Sequence, residues 1–314
     1  MIEKKELLLL LLLLLALVST VVLLVYITMK KNEISDYVYK NFQTDKRVVV
    51  SLTTSPKRIE QIKPVIDCMM NQTKKPDLIY LNLPKVFLRN NTIFKSKLPE
   101  FITSNKLVKV NFCDDIGPAT KIIPTVYNET DDETYILSID DDIYYPPYII
   151  ESYLYYSDIF PDSIISGRSY MYNNSPEQLK IYNKMKEKIP EFKGFLSDLL
   201  EGFSGVLYQR KFFTMPFLSD FYKYLYVNSC KFGDDFYLSN FFKKNRVNIV
   251  SLNIPIDLTG NDKELIHSFE YGLKEDALHQ GASGKNNVDN YKDCTKFLKS
   301  IGELYIDYYL NNDL

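Results

Sequence analysis

Tryptophan is absent from this 314-residue chain, and there are only 11 glycines, four cysteines and two histidines. So little glycine excludes collagen-type repeats and glycine-rich low-complexity linkers, and no internal repeat is visible. Cys68, Cys113, Cys230 and Cys294 stand far apart and none forms a C-x-x-C pair, which argues against a zinc site or a thioredoxin-like motif. Disulfides and scattered buried thiols both remain open readings for them. No G-x-S-x-G elbow, Walker A loop or Ser-His-Asp arrangement occurs, so serine-hydrolase and P-loop chemistry lack their carriers. A net charge of −2 gives no sign of nucleic acid as a partner.

What is abundant is aliphatic sequence at the N-terminus. Leu7 to Met29 carries no charged residue and is mostly Leu and Val. At about 1.5 Å per residue it spans roughly 30 Å, the thickness of a bilayer core. The run is longer than the apolar core of a cleaved signal peptide and is followed by Lys30 and Lys31, so a retained anchor is expected. The layout predicted is a tail over 1–6, a transmembrane anchor over 7–29, a stem over 30–46 and one catalytic domain over 47–314. Lysines flank the run on both sides, so charge alone leaves its orientation nearly balanced.

Beyond the stem, apolar runs alternate with helical spacing. Strands are predicted over Val48–Thr54, Leu78–Leu83, Leu107–Phe112 and Tyr135–Ile139, with a helix over Arg58–Met70 and another over Ala119–Tyr127. Pro64 either kinks the first helix or marks a late start. Further on, helices are expected over Pro147–Ile159, Pro176–Ile189 and Asn287–Tyr309, with strands over Ser163–Tyr172 and Val247–Leu252. This order predicts an α/β fold: a mainly parallel sheet with helices on both faces, preceded by one transmembrane helix.

The chemistry sits where the fourth strand ends, at Asp140-Asp141-Asp142. Carboxylates beyond the C-terminal end of a parallel strand lie where open α/β sheets bind ligands, and hard oxygen donors suit Mg²⁺ or Mn²⁺. A solvated acidic turn is the plain alternative. Strand alternation would put Asp140 and Asp142 on one side and leave Asp141 the more tolerant of change. Asp234-Asp235 before a helix is either an N-cap or a general base. In Asp115–Lys121, Lys121 would reach a phosphate or donor sugar, and the plain reading is a turn. Gly202-Phe203-Ser204-Gly205 is a pocket floor or a tight packing site. His279, on a polar glycine-containing stretch, is the better candidate for a late metal ligand than His267.

Five segments, in this order along the chain, resemble the glycosyltransferases of the GT-A fold, similar to family 2, in a subgroup found in viruses and microbes. They are Ser51–Ile59, Asp115-x-Gly117-Pro118-Ala119-Thr120-Lys121, Ile139–Pro146, Gly202–Tyr208 and Asp234–Ser239. The resemblance covers Arg47 to the C-terminus and implies a GT-A-like fold and a metal-dependent transfer of a sugar from a nucleotide-diphosphate donor to a hydroxyl, with inversion. It implies Thr53, Pro56, Arg58, Asp115, Lys121, Asp140 and Asp141 on the donor side. Asp142 and Asp140 would hold Mn²⁺ or Mg²⁺, joined by His279. Gly202, Ser204 and Gly205 would form the acceptor pocket, and Asp235, with Asp234 as rival, would be the base. Partners would be a nucleotide-sugar, a glycan, protein or lipid acceptor, and the membrane through residues 7–29. The arrangement would be type II, with the catalytic domain lumenal or on the equivalent face of a virus-infected or microbial cell. Two rivals use the same residues: another metal-dependent α/β enzyme, such as a nucleotidyltransferase or phosphohydrolase, and a non-catalytic membrane-anchored protein.

Overall fold

The computed structural model describes residues 4–35, 44–94, 97–170, 194–257, 259–273 and 284–306, with side chains in the first segment described for Glu6 and from Leu12 to Tyr26. Helix α1 runs from Lys4 to Ser35, and its described apolar side chains are all exposed. Among the described residues no helix is long and apolar enough to cross a membrane.

The folded part is built on one eight-stranded sheet. Its strands in chain order are β1 (Val48–Thr53), β2 (Leu78–Pro84), β3 (Val108–Cys113), β4 (Tyr135–Ser138), β5 (Ser163–Ser166), β6 (Phe195–Ser197), β7 (Val206–Gln209) and β8 (Asn248–Ser251). The spatial order is β6-β8-β5-β7-β4-β1-β2-β3. β3, β2, β1 and β4 pair in parallel, as do β5 and β8. β7 runs antiparallel between β4 and β5, and β6 is antiparallel to β8 at the far edge. The sheet is thus mostly parallel, with two reversed strands.

Strand alternation divides the core. Val48, Val50, Leu52, Leu137, Ile165, Leu207 and Val250 face one side. Helix α2 (Lys63–Met70) covers them with Val65, Ile66 and Met69, and α5 (Ile149–Ile159) with Ile149, Tyr153 and Leu154. Val49, Ile136, Ile164, Val206, Tyr208 and Ile249 face the other side. There the cover is α4 (Ile123–Asn128), α6 (Met215–Lys223), α8 (Asp234–Lys244) and α9 (Asn287–Ser300). Two short helices complete the set, α3 (Glu100–Thr103) and α7 (Asn228–Phe232). Helices therefore cover both faces of the sheet, as the sequence pattern predicts.

Several boundaries move for identifiable reasons. Pro64 sits in the first turn of α2, where its missing N–H costs nothing, so it marks a late start and residues 55–61 form turns. The helix expected over 119–127 splits into a 3₁₀ turn, Gly117–Lys121, and α4, with Pro124 in the first turn of α4. α9 ends at Ser300, short of the predicted Tyr309. Ser163–Tyr172 breaks into β5 and a two-residue strand, Ser169–Tyr170. The helix expected over 176–189 lies outside the described residues. Cys230 on α7 and Cys294 on α9 form a disulfide across 64 residues of sequence, while Cys68 and Cys113 are free.

Candidate active site

The ends of β1, β2, β3 and β4 open onto a cleft of about 420 Å³. Thr53 ends β1 and Thr54 follows it, Pro84 ends β2, Asp115 follows β3 and Asp140–Asp142 follow β4, and all of them line the cleft. Asp234 and Asp235, from the start of α8, line it as well. The parallel half of the sheet thus delivers the first acidic cluster, and a helix N-terminus delivers the second.

Asp140, Asp141 and Asp142 do not alternate as strand residues. β4 ends at Ser138 and the triplet occupies the following turn, so the turn sets where the carboxylates go. Asp140 accepts a hydrogen bond from Lys121 Nζ at 3.0 Å. Asp141 and Asp142 both accept from Arg58 Nη1, at 3.1 and 2.8 Å. Asp141 also accepts from the Thr54 hydroxyl, and its backbone carbonyl accepts from the Tyr271 hydroxyl at 2.8 Å. The strand alternation expected to put Asp140 and Asp142 on one side does not apply in this turn: Asp141 and Asp142 share Arg58, and Asp140 takes Lys121. Asp141, expected to tolerate change, is the most heavily bonded of the three.

Asp142 is held from the C-terminal part of the chain. Its carbonyl accepts from Phe269 N at 2.8 Å. A side chain on Gly272 would meet the Asp142 Cβ at 2.6 Å, so only glycine allows that segment to lie this close. Burial, and then the neighbouring Asp141 and Asp140 charges, push the Asp142 carboxyl up to about 7, against the opposing pull of Arg58.

The second cluster is not a helix cap, because the cap position of α8 is Gly233 and no side chain caps it. Asp235 Oδ2 instead accepts from the backbone N–H of Gly202 at 2.9 Å. Burial first, and Asp234 second, raise its carboxyl to about 7. Asp234 lies 3.5 Å from Lys121 Nζ, and burial raises its pKa too.

Lys121 therefore bridges the two clusters. Burial opposes its charge, but Asp140, Asp234 and Asp235 together hold its pKa well above the usual lysine value. Its position is fixed from below. Ser51 and Asn82 are polar interruptions in otherwise apolar strands β1 and β2, and both are fully buried. Ser51 donates to the Lys121 carbonyl and Asn82 donates to Thr125 at 2.9 Å, so β1 holds the turn that carries Lys121 and β2 holds the helix that follows it.

The remaining predicted residues divide. Asp115 lines the cleft but spends its carboxylate on the backbone N–H groups of Gly117 and Leu88, both at 2.8 Å. Pro56 is in the β1 loop but outside the cleft lining. Ser204 is fully buried and bonded to the Arg168 N–H and the Glu201 carbonyl, both at 2.8 Å. Gly205, at φ +81°, lies against Tyr145 and Leu137. Those two support the loop from beneath, while their neighbours Glu201 and Phe203 line the cleft. His279 lies outside the described residues. His267 is buried and stacks on Tyr144.

Sequence reasoning missed Tyr145, whose hydroxyl accepts from Asp140 N at 3.0 Å and donates to the Phe203 carbonyl at 2.8 Å. It ties the first acidic turn to the loop beside Asp235. Its place just after the acidic triplet was the available signal. For Tyr271 and Gly272 there was none, because no local pattern marks a segment that returns from 130 residues away.

Carboxylate oxygens are the kind of donor that hard divalent cations take. Asp140, Asp141, Asp142 and Asp234 pair with two cations, Lys121 and Arg58, around one cleft, and burial first, then the neighbouring carboxylates, push Asp142 and Asp235 up to about 7. Among the described residues no group of three or more His, Cys, Asp or Glu side chains is arranged to hold a metal ion. No family model matches the chain, and no curated protein is significantly similar to it.

Proposed function

We propose that this chain is a metal-dependent glycosyltransferase of the GT-A type that moves a sugar from a nucleotide-diphosphate sugar to an acceptor hydroxyl with inversion. The observation that carries the reading is the pair of carboxylate clusters facing one cleft beyond the strand ends and joined by Lys121. Thr53, Thr54 and Arg58 would border the nucleotide, and Lys121 would meet the diphosphate or the donor sugar. Asp142 and Asp140 would hold Mn²⁺ or Mg²⁺, which offsets charge on the leaving diphosphate when bound.

Asp235 is the better base. Its Oδ2 is fixed by Gly202 N–H, leaving Oδ1 to take the proton, and a carboxyl near 7 is matched to proton transfer near neutral pH. The acceptor oxygen would bond to the anomeric carbon as the bond to the diphosphate breaks, and its proton would pass to Asp235.

Residues 7–29 would anchor the domain to a membrane in a type II arrangement. The Cys230–Cys294 disulfide supports a lumenal or extracellular face, since disulfides persist in oxidising compartments. Asn71, Asn90 and Asn128, each in an N-x-Thr sequon, are exposed, which agrees with that side. The test is donor binding with and without Mn²⁺, followed by nucleoside diphosphate release in the presence of acceptor. Asp142→Ala should lose Mn²⁺-dependent donor binding and turnover. Unchanged Mn²⁺-dependent binding in that variant would refute the assignment.

A further inference from the structure

A second pocket of about 460 Å³ lies behind the acidic cleft. The partition between them is a two-stranded ribbon, Ile143–Tyr144 paired with His267–Ser268. Side chains alternate across it as in any strand: Ile143 and Ser268 line the cleft, while Tyr144 and His267 line the second pocket. The two spaces are one ribbon apart, and the ribbon follows directly from Asp142.

The lining of this pocket is aromatic with a polar rim. Tyr144 and His267 stack with ring centroids 4.5 Å apart, and Phe269 stands edge-on to Tyr144 at 6.3 Å. The Tyr144 hydroxyl donates to the Lys263 carbonyl at 3.0 Å, which fixes the ring. Asp67, Asn71 and Lys263 stand at the opening, all at least partly exposed. Cys68 also borders the space, but burial pushes its thiol up to about 11, so thiolate chemistry is not available there.

Fixed aromatic faces beside carboxylate, amide and ammonium groups match a ligand with an apolar C–H face and a rim of hydroxyls. A lipid tail would leave those rim groups facing hydrocarbon. We infer that this pocket is a carbohydrate subsite, holding a distal unit of an acceptor glycan whose reacting end crosses the ribbon into the cleft. The inference rests on the glycosyltransferase reading and narrows it, because it selects a glycan over a protein or lipid acceptor. A glycan carried by Asn71 itself would present the same chemistry to the pocket.

The test uses the full-length protein in detergent, produced in a bacterial host that does not N-glycosylate, so that only added sugar can occupy the pocket. Saturation-transfer NMR is recorded with chitotetraose, cellotetraose and maltotetraose, with nucleoside diphosphate and Mn²⁺ present to fill the cleft. Transfer to at least one tetrasaccharide is expected. Its affinity should weaken at least tenfold in Tyr144→Ala and severalfold in Asp67→Ala. Asp67 and Lys263 lie at the surface, so Asp67→Ala and Lys263→Ala decide the matter should Tyr144→Ala fail to fold. No transfer to any of the three sugars, or equal transfer in the rim variants, overturns the subsite. Nucleotide binding measured on the same sample separates the two ideas. Nucleotide without tetrasaccharide binding removes the subsite and leaves the transferase, and tetrasaccharide without nucleotide binding does the reverse.

Discussion

Replacing Asp235 by asparagine should stabilise the ligand-free protein while abolishing transfer, and the gain should grow with pH. The Asp235 carboxyl moves from 3.8 to about 7 on folding. Between those values the folded state holds more protons than the unfolded state, so stability is lost as pH rises through that window and is level above it. At pH 5 the loss is on the order of 2 kcal/mol. At pH 8 it is on the order of 4 kcal/mol. Asparagine keeps an oxygen for the Gly202 N–H and carries no charge, so its advantage should widen by roughly 2–3 kcal/mol from pH 5 to pH 8. For a domain of this size that is a difference of roughly 5 °C or more in melting temperature. Differential scanning fluorimetry of both proteins across that range, without metal or nucleotide, measures it. An asparagine variant less stable than the parent at pH 8, or a difference that does not change with pH, would show that Asp235 is not held against its charge.

Three further outcomes follow from the same geometry. Lys121→Met removes the cation between Asp140 and Asp234 and leaves buried acids unpaired, so it should cost about 3–5 kcal/mol near neutral pH; denaturant unfolding should show this loss easing as pH falls and the acids protonate. Gly202→Ala places a Cβ 2.5 Å from Lys121 Nζ and 2.7 Å from Asp235 Oδ1. Both are side-chain tips that can shift, so melting temperature should hold within a few degrees while turnover falls by more than tenfold. Reducing Cys230–Cys294 opens a loop of 64 residues, and loop-closure entropy assigns about 4 kcal/mol to it; scanning fluorimetry with and without reductant should show a drop of roughly 10 °C.

The parallel half of the sheet was legible because its strands are apolar runs bounded by Pro, Asp and Gly, as in Leu78–Pro84 and Tyr135–Ser138. The acidic residues of the cleft were legible too, since Asp140–Asp142 and Asp234–Asp235 each stand at an element end. Their directions were not. Two residues separate Ser138 from Asp141, and in that distance the backbone leaves the strand, so a period of two no longer applies. The reversal of β7 was hidden because a strand's direction depends on the path of the chain before it, not on its composition. Ser204 reads as a pocket residue between two glycines, yet its hydroxyl closes a turn against Arg168. The pairing of Cys230 with Cys294 has no local trace, because it depends on how α9 packs against α7.

The reversed strand β7 has a mechanical consequence. It hydrogen-bonds β4 on one side and β5 on the other, so the β1–β4 half and the β5–β8 half are stitched into one continuous lattice. No crevice runs through the sheet along which the halves could hinge. The acidic cleft must then be largely preformed before substrate arrives, and any opening or closing has to come from segments at its rim. Because β7 enters the sheet at the end where β4 leaves it, the loop before it reaches the same rim as the acidic turn, and Tyr145 clasps the two. Motion of either one would be felt by the other through the two hydrogen bonds of one side chain.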